Sequence, residues 1–213
     1  MEFLPSLPVF TAFTIAAFIL AITPGPDMTL FLGRALTQGK LAGMFAVLGA
    51  STGIVLHTLL AAFGISALIQ ASPTGFFILK IVGALYLLWL AIEAVRKGSA
   101  FTLKDGEAKN VSLLNNWLTG IGVNILNPKI ILFFITFLPQ FVEAGDPHAT
   151  GKMIFLGFYF IVFAIIITFA MIIAVDKVAD SLRKNPKVTR VIDWLFAGVF
   201  SAFAIRILFT DRT

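Results

Sequence analysis

Two ionisable residues stand beside prolines inside long apolar runs. The strings Ile22-Thr23-Pro24-Gly25-Pro26-Asp27 and Leu126-Asn127-Pro128-Lys129 share an aliphatic residue, a small polar residue and a proline when Pro24 is set on Pro128. Proline lacks an N–H and clashes with the preceding turn, so it ends one helix and suits the start of the next. Two prolines around Gly25 predict an outright break. Backbone freed from a helical ladder cannot face lipid, so it must line a cavity or be buried in protein. Each break also creates a half-helix N-terminus whose free N–H groups and positive dipole end favour an anion.

These features assign a binding site to Thr23, Pro24, Gly25, Pro26, Asp27, Asn127, Pro128 and Lys129. Asp27 would receive a substrate ammonium or a coupling proton, and Lys129 with the half-helix ends a carboxylate. Two plainer readings stand beside this one: the prolines only kink their helices, and Asp27 and Lys129 form a structural ion pair. A charge at bilayer depth costs at least about 2.5 to 3.5 kcal/mol, so each needs a cavity or a partner. His57 is the second proton-coupling candidate, with a satisfied interior histidine as the alternative.

Other chemistry finds little support. The run Gly49-Ala50-Ser51-Thr52-Gly53 fits the G-x-S-x-G pattern of serine hydrolases, but that motif needs a strand-to-helix elbow and here lies in an uninterrupted apolar helix. Six residues at 100° each set His57 about 240° round from Ser51. Gly49 and Gly53 read better as a small-residue surface for close helix packing. The absence of Cys removes disulfides and thiolate chemistry. No cofactor and no resident metal site is expected, and the expectation is a protein that is not an enzyme. Divalent-cation export is the weaker transport alternative, because hard cations want several oxygen ligands and only Asp27 lies clearly at depth.

The elements that must position these residues follow from composition. Of 213 residues, 59% are hydrophobic and 13% charged, and mean hydropathy is +0.97. A water-soluble fold of this length cannot hide that much apolar surface, which argues for a bilayer as partner. The net charge of +5 does not point to nucleic acid, because the basic residues fall between apolar runs. Six stretches are long enough to span, roughly 8–33, 41–69, 75–95, 117–141, 152–175 and 191–209. The expected fold is an all-α transmembrane bundle with helices 1 and 4 broken.

Three helices, the polar linker of about 98–116 and three more make one transporter domain over 1–213, with repeats at about 1–97 and 117–213. Because three is odd, the second repeat would insert inverted, with the site at the midplane where the broken helices meet. Arg34, Lys40, Arg96, Lys97, Lys104, Lys109, Lys177, Arg183, Lys184, Lys187 and Arg190 cluster on one side. The positive-inside rule makes that side cytoplasmic and sets both termini outside. Trp89, Trp117 and Trp194 fit an interfacial belt. Lys80 and Arg206 are expected to snorkel, and Glu93 to pair with Arg96 and Lys97. The first segment has Glu2 and no basic residue before it, so it is expected to remain rather than act as a signal peptide. A homo-oligomer stays open.

The chain resembles the LysE/RhtB family of bacterial amino-acid exporters. The likeness runs through Thr23-Pro24-Gly25-Pro26-Asp27-Met28, the glycines from Gly39 to Gly64 around His57, and Lys80-Ile81-Val82-Gly83-Ala84-Leu85-Tyr86-Leu87-Leu88. It continues in Asn124-Ile125-Leu126-Asn127-Pro128-Lys129, Phe133-Phe134 and Leu138-Pro139-Gln140-Phe141. That resemblance implies a bacterial inner-membrane protein that exports amino acids or close derivatives, coupled to the proton gradient, and an inverted three-helix repeat.

Overall fold

The computed structural model describes residues 5–65, 67–68, 72–97, 111–142, 146–177 and 185–209. Among the described residues there are helices and no strands. Helix α1 (Leu7–Ile22) stops where the prolines require. Thr23 is pushed to φ −71°, ψ 121° by the following Pro24, and Gly25 is extended. Helix α2 (Pro26–Gln38) begins on a proline at its first position, where a missing N–H costs nothing. Gly39 then turns the chain at φ +92°, in the left-handed region that favours glycine. Helix α3 (Lys40–Leu60) follows and widens into a π turn over Ala61–Ile65.

After α4 (Pro73–Lys97) the second half starts with α5 (Leu113–Ile125). This helix begins one turn before the expected 117, because the Ser112 hydroxyl accepts from Asn115 N at 3.2 Å and caps it. Trp117 therefore lies within the helix rather than at its start. A second break separates α5 from α6 (Pro128–Phe141), which has a π turn at Phe133–Phe137 and a tightened 3₁₀ end. Helices α7 (Ala149–Ile173) and α8 (Pro186–Phe209) complete the chain.

Lys40–Gly64 and Ala149–Ile173 are each long and apolar enough to cross a membrane. The pairs α1–α2 and α5–α6 pass that test together as broken spans, bent by 53° and 54°. Helices α4 and α8, of 25 and 24 residues, have the length for a hydrocarbon core of about 30 Å. Exposed Ile78, Val82, Leu85, Trp89 and Ile92 recur every three or four residues along α4, an apolar stripe suited to lipid. The molecule is a multi-pass helical membrane protein. The side chains of Lys80, Glu93 and Arg206 and most of the linker lie outside the described residues.

Helix α3 is central, packed on α2, α5 and α7, while α4 packs along α8. Its contact with α5 is backbone to backbone: a Cβ on Gly49 would stand 1.9 Å from the Trp117 carbonyl oxygen, and one on Gly120 2.1 Å from that of Ala46. The core beside this seam is aromatic. Phe13, Phe137 and Phe160 surround Phe133 with ring centroids 6.0, 5.0 and 5.2 Å away, and Phe200 reaches Phe137 at 5.1 Å. Rings at these separations gain contact energy beyond burial alone.

Candidate functional site

The two breaks face each other across a cavity lined by Leu20, Thr23, Asp27, Ser51, Lys129 and Thr168 among others. Because Pro24 has no N–H, the carbonyl of Leu20, four residues back, loses its helical donor. The carbonyl of Thr23 is likewise left open where the chain extends. The ammonium of Lys129 donates to both, at 3.2 Å to Leu20 O and 2.9 Å to Thr23 O. Gly25 leaves it room, since a Cβ there would stand 3.3 Å from Nζ. Lys129 thus caps the C-terminus of α1, where the helix dipole favours a cation.

Asp27 lies in the first turn of α2, at the end of the dipole that favours an anion. One of its oxygens, Oδ2, accepts from Asn124 Nδ2 at 2.9 Å; the other, Oδ1, is buried without a hydrogen-bond partner. Asp27 and Lys129 share the cavity without a direct ion pair. Asn127 caps α6 through its side-chain oxygen, which accepts from Lys129 N at 3.0 Å. It also neighbours the Asp27 carboxylate, yet its Nδ2 has no hydrogen-bond partner.

Three of the expected site residues, Thr23, Asp27 and Lys129, line the cavity. Pro24, Gly25, Pro26, Asn127 and Pro128 shape the breaks around it. His57 stands behind the lining, beside the main chain of Asn124 and stacked at 6.0 Å on Phe134, with Nε2 buried and unpartnered. Asn124 is the candidate that sequence reasoning missed. It is fully buried, and it fits because a Cβ on Gly53 would stand 2.6 Å from its Oδ1. A polar amide one turn before Asn127 in an apolar helix was the available signal. Ser51 donates to Val47 O at 2.9 Å within continuous α3, and among the described residues no group of three or more His, Cys, Asp or Glu could hold a metal ion.

The cavity joins a carboxylate without a direct ion pair, an ammonium with one donor still unused and an apolar wall that includes Met28, Ile54 and Phe160. Such a set has the chemistry to hold a small charged or zwitterionic solute and offers no activated nucleophile. A family model described as LysE type translocator matches residues 18–211. The chain belongs to the LysE type translocator family. It is a transporter and not an enzyme. Among its relatives, an uncharacterized membrane protein of Bacillus subtilis, YrhP, is 29% identical over 89% of this chain and 93% of its own length. An uncharacterized membrane protein of Vibrio cholerae is 26% identical over 90% of this chain and 92% of its own. The leucine efflux protein of Enterobacter sp. (strain 638) is 28% identical over 93% of this chain and 94% of its own. No solved structure matches the chain.

Proposed function

We propose that this translocator exports amino acids with neutral aliphatic side chains from the cytoplasm across the bacterial inner membrane, in exchange for protons. The observation that carries the reading is the Asp27 carboxylate, flanked by the amides of Asn124 and Asn127 and in no direct ion pair, in a cavity that also holds Lys129. The substrate ammonium meets Asp27, its carboxylate takes the remaining Lys129 donor and the helix N-termini, and its side chain lies on Met28, Phe31, Val47, Ile54 and Phe160. A basic side chain against that wall would be stripped of water without an acceptor, which disfavours it. The leucine efflux relative agrees with this choice.

Proton exchange falls to Asp27, which takes a proton when the ammonium leaves, with His57 as the second candidate. The framework is six spans in two inverted repeats joined by the linker, both termini outside. The near-equal bends of 53° and 54° and the packing of α3 on α7 and α4 on α8, pairs that an inverted two-fold would relate, support it. Purified protein in liposomes should show counterflow of labelled leucine, and Asp27→Asn should reduce it at least tenfold, the loss of a charge-assisted contact of about 1.5–3 kcal/mol. Unchanged counterflow in that variant overturns the assignment of Asp27. Lysine counterflow exceeding leucine counterflow overturns the aliphatic selectivity.

A further inference from the structure

We infer that the broken end of α1 is a binding site for a primary ammonium or a small alkali cation, and that Lys129 is the tethered ligand filling it. The inference does not depend on what the protein exports.

Two carbonyl oxygens converge on one point. Leu20 O is there because Pro24 cannot supply the N–H that would have bonded it, and Thr23 O because the chain leaves the helix at that residue. The adjacent Ile19 carbonyl is excluded, since both the amide and the hydroxyl of Thr23 donate to it, at 3.0 and 2.6 Å. What remains is a two-oxygen cradle at the negative end of a helix dipole, closed on one side by a glycine with no side chain to block it. Buried carbonyls without a donor are costly, so the cradle requires an occupant. Unwound carbonyls and half-helix C-termini are the groups that coordinate coupling cations in broken-helix transporters. Here the nitrogen at 2.9 and 3.2 Å belongs to α6, so the first break is held by a cation delivered from the second. Removing the lysine stem would leave an open cradle for an untethered cation.

The test is the melting temperature of the detergent-solubilised protein in ethylammonium, sodium or tetramethylammonium chloride at equal ionic strength. Tetramethylammonium is the control, being bulky and without an N–H. Lys129→Ala should melt roughly 6–24 °C below the wild type in tetramethylammonium, as two charge-assisted hydrogen bonds are lost. It should regain most of that in ethylammonium, in sodium or in both, while the wild type melts alike in all three salts. Lys129→Met, whose side chain fills the path with neither a charge nor a donor, should melt low in every salt. The inference is overturned if Lys129→Met melts with the wild type, if Lys129→Ala gains nothing from ethylammonium or sodium over tetramethylammonium, or if the wild type gains as much. Melting needs no transport, so failure here and failure of leucine counterflow are read separately.

Discussion

The two breaks bend their spans almost equally yet are finished in different ways. The second is closed locally: Asn127 caps α6 through Lys129 N, and the carbonyl of Asn124, orphaned by Pro128, accepts from Asn127 N at 3.0 Å. The first has no side-chain cap on α2, and two of its carbonyls, Leu20 O and Thr23 O, are satisfied by a lysine more than a hundred residues away in sequence. A break closed by its own residues is a fixed corner. A break completed by a charge from the other half is a joint whose integrity reports on how the halves sit together.

The contrast can be broken at the prolines. Pro24→Ala restores the N–H that Leu20 O lacks and lets α1 and α2 approach one helix, displacing Lys129. Leucine counterflow should fall more than tenfold. Pro128→Ala restores a donor to a carbonyl that already has one and should cost several times less; equal losses would make the two corners alike. Gly53→Ala tests the seam that sets Asn124 on Asp27. Its methyl would stand 2.6 Å from Asn124 Oδ1, so the amide must move, and counterflow should drop about tenfold, near the worth of one hydrogen bond to a charge. Asn127→Ala removes the cap on α6 together with an amide beside Asp27; loss of the cap should lower the melting temperature by roughly 2–4 °C, for about 1 kcal/mol.

The smallest effect lies away from both breaks. Asp146, in the loop before α7, is paired with Lys152 and accepts from His148 N at 2.8 Å, and these contacts hold its carboxyl below the ordinary value of 3.8. A depressed pKa contributes stability above the unfolded value that is lost as pH falls through the folded one. Asp146→Asn should therefore lower the melting temperature by no more than a degree or two at neutral pH, given the small worth of surface pairs. The difference from wild type should shrink below about pH 4.

Both corners could be read from the chain because proline acts locally: Pro24 and Pro128 each deny a donor to the carbonyl four residues back. Composition was equally direct, since the apolar excess has no aqueous solution. The partners at the corners were a different matter. Lys129 was expected to face Asp27 or a carboxylate, yet two of its donors go to main-chain carbonyls, and no side-chain pattern marks a carbonyl as orphaned. Asn124 escaped notice because its position on Asp27 is set by the close approach of α3 at Gly53, a tertiary fact. The early start of α5 was hidden by a polar stretch that reads as linker until Ser112 is recognised as a cap. The π turn at Phe133–Phe137 has no sequence mark at all, as five aromatic and β-branched residues in a row fit an ordinary helix equally well.

The glycine seam between α3 and α5 bears on biosynthesis. Gly49 and Gly53 belong to the first half to emerge from the ribosome, and the surfaces that cover them, at Trp117 and Asn124, follow only after the linker has been made. Until then α3 carries a strip of bare backbone along one face, and the carbonyls at the end of α1 wait without their lysine. Helix α4 likewise lacks α8. The nascent first half is thus an unfinished surface whose packing is postponed by about one more half of the chain, and whatever accompanies it in the membrane during that interval must shield small residues and open carbonyls rather than large apolar ones.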